Sequence, residues 1–259
     1  MRLRARNPAL GVLLPLLLLA GWQVLATAGG YSRAQLPPPY DVALALRELI
    51  TRGELWQHLA ISTQRVLIGF AVGATAGLAL GGLVGLSATA RALVAPTVQA
   101  LRAIPSLAWV PLLLLWFGIG ETPKIVLVSI GAFFPVYTTV ASALAHVDPH
   151  LVEVGRAYGR SGVRLLGTVL LPAATPPVLA GLRLGLAQAW LFLVAAELIA
   201  SSMGLGFLLI DSQNTGRTDV ILLAIVLLAA LGKLTDTLLG VLERRLSTVD
   251  PAAAVRAGS

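Results

Sequence analysis

The chain has 259 residues, 57% of them hydrophobic and only 12% charged, with a mean hydropathy of +0.85, whereas a soluble domain is nearer to half apolar and a quarter charged. The net charge of +7 suggests a nucleic-acid partner, but the arginines are dispersed at the ends of apolar blocks, where membrane topology signals sit, so no nucleic acid is expected. There is no cysteine, which excludes disulfides and thiolate chemistry.

A span needs about 20 apolar residues and must satisfy its own backbone, so the chain is read as an all-α membrane protein of about six transmembrane helices. Barrel strands would alternate with period two, and these blocks do not. Residues 1–60 form the first unit. It opens with Arg2, Arg4 and Arg6, followed by an apolar run from Ala9 to Ala26. That run is longer than the apolar core of a usual signal peptide and reads as a retained first span. Cleavage after Ala26-Thr27-Ala28 is the rival reading. The stiff Pro37-Pro38-Pro39 segment then leads to an amphipathic helix over Asp41 to His58, lying at the membrane interface.

The core unit is 61–246. Its first span, Ile61 to Leu86, carries Gly69, Gly73, Gly77, Gly81 and Gly85 at strict four-residue spacing. Such a ladder lets another backbone approach closely, and helix packing explains it better than a substrate groove does. The next span, Leu93 to Phe117, contains Pro96, Pro105 and Pro111 and is expected to be kinked, or to begin as a separate short helix near Arg102. Further spans follow over Lys124 to Ala145, Val178 to Ala200 and Val220 to Leu242, with a polar loop from Ser201 to Asp219. Residues 247–259 form a small mobile tail.

With both ends on one side, Arg2, Arg4, Arg6, Arg91, Arg156, Arg160, Arg164, Arg244, Arg245 and Arg256 share that side. Arg33, Arg47, Arg52, Lys124 and Arg217 face the other. The bias places the N-terminus, the C-terminus and the 148–172 segment in the cytoplasm. In that segment Asp148 can cap a helix and Pro149 suits its first position. Gly159 can end the helix and Ser161 can cap a second one that Pro172 interrupts. A capped amphipathic loop helix accounts for this pattern by itself; docking of a soluble partner is the alternative.

Among ionisable groups at span depth, Glu197 and Arg183 are candidates for the pathway or a gate, with Trp190 beside them. Glu197 can equally pair with a neighbouring helix, and a structural or gating role is the favoured reading for it. Arg183 could snorkel to the interface, and Lys233 can pair with Asp236 three residues on. Gly232-Lys233-Leu234 is not a phosphate-binding loop, so no nucleotide is expected on this chain. His146 and His150 lack further ligands, so no metal is expected either.

Glu153-Val154-Gly155, three residues, Gly159, nine residues, then Val169-Leu170-Leu171-Pro172 resembles the EAA loop of ABC-importer permeases. Val154 and Gly155 stand where that loop has alanines. The stretch Leu101 to Glu121 looks like the sulfonate, taurine, nitrate and bicarbonate branch of these permeases, and Ala157 to Gly162 and Ala196 to Gly206 look most like its aliphatic-sulfonate members. The resemblance implies a type I importer permease fold with a cytoplasmic coupling helix. Its implied docking residues are Glu153, Gly155, Ala157, Tyr158, Gly159, Arg160, Leu171 and Pro172. It also implies a homodimer in the bacterial inner membrane, in contact with lipid and served by two kinds of partner: a cytoplasmic ATPase dimer that carries ATP and Mg, and a periplasmic or lipid-anchored substrate-binding protein. No catalytic residue is expected. The implied cargo is an aliphatic sulfonate, with taurine, nitrate, bicarbonate or a thiamine precursor as alternatives. An ion-coupled secondary transporter using Glu197 is the rival of another class.

Overall fold

The computed structural model describes residues 8–247; Arg2, Arg4, Arg6, Arg256 and the 248–259 tail lie outside them, as does the Arg245 side chain. The described chain is a helical bundle. In order come α1 (Pro8–Ala28), α2 (Pro39–Thr51), α3 (Glu54–Leu86), α4 (Ala88–Ala103), α5 (Trp109–Phe117), α6 (Glu121–Ala145), α7 (Pro149–Ala157), α8 (Gly162–Leu165), α9 (Leu171–Ala200), α10 (Leu205–Asn214) and α11 (Thr218–Ser247).

Among the described residues four runs are long and apolar enough to cross a membrane: Glu54–Leu86, Glu121–Ala145, Gly162–Ile199 and Thr218–Arg244. The first expected span supplies a shorter apolar stretch, Leu13–Ala28, within α1. The span expected over Leu93 to Phe117 is two helices, α4 and α5, parted at Ile104 and Pro105. Proline has no N–H to continue the ladder and pushes the residue before it out of the helical region, and Ile104 is extended at φ −71° and ψ 126°.

The bundle is organised around α3 and α6, which run parallel. A Cβ added at Gly69 would lie 2.6 Å from Val128, at Gly73 2.2 Å from the Ser129 carbonyl oxygen, at Gly77 2.9 Å from Val136, at Gly81 2.8 Å from the Tyr137 carbonyl oxygen, and at Gly85 2.8 Å from Leu144. Every rung therefore faces α6 at a distance that a larger side chain cannot share. On its other face α6 meets α9 antiparallel, again at glycines: Gly131 against Phe192, and Gly181 against Thr139. Val66, Val128, Ala132, Ala189 and Leu193 fill the core between these three helices.

Three expected boundaries differ. The amphipathic segment ends at Thr51, not His58; Gly53, at φ +74°, turns the chain, and Glu54 to His58 open α3. The expected polar loop from Ser201 to Asp219 holds α10, whose Leu205, Gly206, Leu208 and Ser212 are buried. Finally, Pro172 does not interrupt the helix. A π-helical turn over Leu166–Leu170 joins α8 to α9, and the Thr168 hydroxyl donates to the Arg164 carbonyl at 2.6 Å. The widened turn carries the chain past the residue that has no N–H to donate.

Candidate functional site

The expected functional residues fall into two groups at opposite ends of the bundle. At one end lies 148–172. The Asp148 carboxylate accepts from the His150 N–H at 2.9 Å and Pro149 opens α7. Gly159 ends the turn at φ +72°, a left-handed conformation that residues with a Cβ rarely adopt. Ser161 is extended but makes no side-chain cap bond, a correction to its expected role; Gly162, at φ +52°, carries the second turn instead.

The small residue at 155 has a physical reason. A Cβ on Gly155 would meet Leu165 at 2.7 Å and Val169 at 3.0 Å. Thus α7 lies flush on the segment that continues, without a break, into α9. Its outward face has little to hold it. Tyr158 is 80% and Val163 85% exposed, Leu151, Val154 and Leu171 are exposed as well, and Glu153 reaches only an exposed His150 at 4.0 Å. Ala157, Arg160 and Pro172 lie on the same segment, with Arg160 half-buried and the other two exposed.

The opposite end holds a buried polar network. Glu197 on α9 is 0% exposed. It accepts from Arg65 Nη1 at 2.6 Å, from the Ser62 hydroxyl at 2.9 Å and from the Gly206 N–H at 2.8 Å. Arg65 forks onto Glu121 with two bonds of 2.6 Å and also donates to the Met203 carbonyl at 2.6 Å and the Ser201 hydroxyl at 3.0 Å. Lys124 pairs with Glu121 at 2.9 Å.

The network caps α10, whose first N–H groups have no partner in their own helix. The Leu205 N–H donates to the Ser62 hydroxyl at 2.8 Å, the Gly206 N–H donates to Glu197, and His58 Nδ1 lies 3.0 Å from the Gly204 nitrogen. Gly204 has φ +122°, and a Cβ there would sit 2.3 Å from Glu197 Oε1. Charge and helix dipole agree in sign here, a carboxylate at a helix N-terminus.

Glu197 is thus fully engaged within the chain, in line with the structural or gating role favoured for it. The other members of the network, His58, Ser62, Arg65 and Glu121, were not singled out in the sequence. A signal was present: His58, Ser62 and Arg65 extend the stripe of Gly69 and Gly73 at helical spacing, and polar groups in that register must face a partner.

Arg183 is also paired and does not snorkel. It donates to Asp236 at 2.8 Å and to Glu243 at 3.0 Å, joining α9 to α11. Asp236 takes Arg183 as its main partner, with Lys233 at 3.7 Å. Trp190 donates its indole N–H to the Thr235 hydroxyl at 3.0 Å on the same interface. His146 and His150 are separated in role, His146 Nδ1 lying 2.9 Å from its own helix's Ser142 carbonyl.

Comparison with known proteins points one way. The family model described as "Binding-protein-dependent transport system inner membrane component" matches residues 69–248. A Bacillus subtilis chain described as an aliphatic sulfonates transport permease protein is 43% identical over 91% of this chain and 86% of its own length. Its Escherichia coli counterpart is also 43% identical, over 92% of this chain and 91% of its own. The E. coli taurine transport system permease protein is 37% identical over 89% and 86%. Among solved structures, a chain of the MetNI methionine ABC transporter in an inward-facing conformation superposes with a TM-score of 0.62 at 25% identity, covering 76% of this chain and 96% of that one.

Proposed function

The chain belongs to the family of binding-protein-dependent transport system inner membrane components, and on that premise we propose that this ABC-transporter permease carries an aliphatic sulfonate inward. The observation that carries the cargo is the 43% identity, over nine-tenths of the chain, to two permeases described as serving aliphatic sulfonates. Taurine, nitrate, bicarbonate and thiamine-precursor cargoes are the alternatives within the family.

In this reading a multi-pass inner-membrane chain pairs with a second copy, and a periplasmic or lipid-anchored binding protein delivers the anion. A cytoplasmic ATPase dimer holds ATP and Mg. Both chain termini and the 148–172 segment face the cytoplasm, as the arginine distribution favours. The ATPase seats on α7, through Glu153, Ala157, Tyr158, Gly159 and Arg160. Gly155 keeps α7 flush against Leu165 and Val169, so a push on α7 is passed to α9 through the continuous run that includes Leu171 and Pro172. The difference in ATPase affinity between nucleotide states supplies the free energy that shifts the permease between inward-open and outward-open forms.

The test is reconstitution of the permease with its ATPase and binding protein in liposomes. ATP-dependent uptake of an aliphatic sulfonate, abolished by omitting either partner, is the expected result. Uptake that needs an ion gradient and no ATPase would overturn it.

A further inference from the structure

Ionised side chains at bilayer depth are costly, so they pair with one another or face water. In the spanning helices Arg65 pairs with Glu121 and Glu197, Lys124 with Glu121, Arg183 with Asp236 and Glu243, and Lys233 with Asp236. Arg102 stands apart. It is exposed in the last turn of α4 and has no hydrogen-bond or ion-pair partner among the described residues.

Its depth follows from its neighbours. Val98, one turn earlier on the same helix, is buried with Val84 and Tyr137. Leu101 shares a groove with Gly73, Ser129 and Phe133. Ser129 is eight residues into α6 and Tyr137 eight residues before its end, so this level is about 12 Å or more from either end at 1.5 Å per residue. Snorkelling would have to bridge two helical turns.

The backbone gives a second, independent indication. Immediately after Arg102 the helix stops, and Ile104 and Pro105 are exposed in the non-helical join between α4 and α5. Non-helical backbone at membrane depth is tolerated only inside protein or beside a water-filled cavity. An unpaired guanidinium and an exposed helix break at one level both call for water.

We propose that Arg102 lines the aqueous translocation pathway and holds the oxyanion group of the cargo in passage. The inference rests on the reading that the cargo is an organic anion. A guanidinium suits a sulfonate: its planar donors reach two oxygens at once and it stays charged at any working pH. Glu121, Glu197, Asp236 and Glu243 are committed to Arg65 and Arg183, and no carboxylate among the described residues pairs with Arg102.

The chain has no cysteine, so Arg102→Cys is a unique label site. In the assembled complex in membranes, a water-soluble thiol reagent bearing a sulfonate is expected to modify Arg102→Cys; with Arg102 intact, the same reagent is expected to modify Gln99→Cys, and excess ethanesulfonate is expected to slow that second modification. In reconstituted transport, Arg102→Gln is expected to lower uptake about ten-fold or more, while ATP hydrolysis stimulated by the loaded binding protein stays within about two-fold; Arg102→Lys recovers part of the uptake. Modification by an apolar maleimide alone would place the residue in lipid and overturn the proposal, as would wild-type uptake by Arg102→Gln. Should these variants fail to assemble, Gln99→Cys, three residues earlier and also exposed, reads water access with Arg102 intact, and inertness to the polar reagent would again overturn it. A wild-type complex that transports no sulfonate but labels at 102 from water would count against the cargo and not against the pathway.

Discussion

The two ends of the bundle are built on opposite principles. At the α10 end, polar groups are buried and partnered: Glu197 binds Arg65 and Ser62, and Glu197, Ser62 and His58 meet three successive backbone nitrogens. At the α7 end, Tyr158, Val154, Glu153 and Arg156 are all exposed. One end is satisfied within the chain, and the other leaves its side chains exposed. Conservation of charge at the first should serve stability, and change at the second should serve coupling.

Glu197→Ala should test the α10 end most severely. It removes one of the two carboxylates that Arg65 binds and uncaps α10, and breaking a buried pair costs about 3 kcal/mol, or roughly 10 °C in the unfolding midpoint. Thermal unfolding in detergent reads this directly. Glu153→Ala should leave the same midpoint within about 0.5 kcal/mol, since it removes only an exposed contact. Equal effects from the two would erase the contrast.

Gly73→Leu comes next. The site has no room for a Cβ beside the Ser129 carbonyl, and overpacking of this kind costs about 1–3 kcal/mol. The same unfolding assay applies. At the α7 end, Gly159→Val should act mainly on function: binding-protein-stimulated ATP hydrolysis and ATPase co-purification should fall about ten-fold, equivalent to 1.4 kcal/mol, beside a local backbone cost of about 1–2 kcal/mol for a valine at positive φ. If both survive, the α7 segment is not the docking handle.

The smallest effect is electrostatic. The Arg217 guanidinium bonded to Glu48 at 2.8 Å holds that carboxyl below its usual value of 4.5. A carboxyl with a depressed folded pKa contributes stability that is complete above its unfolded value and lost as pH falls through the folded one. Unfolding midpoints should therefore decline below about pH 4.5 by less than about 1 kcal/mol, given the exposure of the pair. Glu48→Gln should remove that part of the slope.

Much of this was legible in the sequence. Apolar blocks announce α3, α6, α9 and α11, and the four-residue glycine spacing marks the face of α3 that meets α6. Asp148, Pro149 and Gly159 state the limits of α7 through local rules that need no tertiary partner. What stayed hidden depends on contacts far apart in the chain. Helix α10 reads as a loop because Gly204, Gly206 and its polar residues carry no local start signal; its cap is supplied by Ser62 and Glu197 from two other helices. Glu197 resembled a pathway group for the same reason, since Arg65 lies 132 residues away. Pro172 looked like a helix stop because a π turn cannot be read from composition.

The central claim is that a cytoplasmic ATPase seats on α7. With no native cysteine in the chain, Tyr158→Cys carrying a short photo-crosslinker in the assembled complex tests it most directly. The account predicts one product with the combined mass of this chain and the ATPase, enriched when nucleotide is bound. Crosslinks to the substrate-binding protein, or none to an ATPase that still co-purifies, would contradict it.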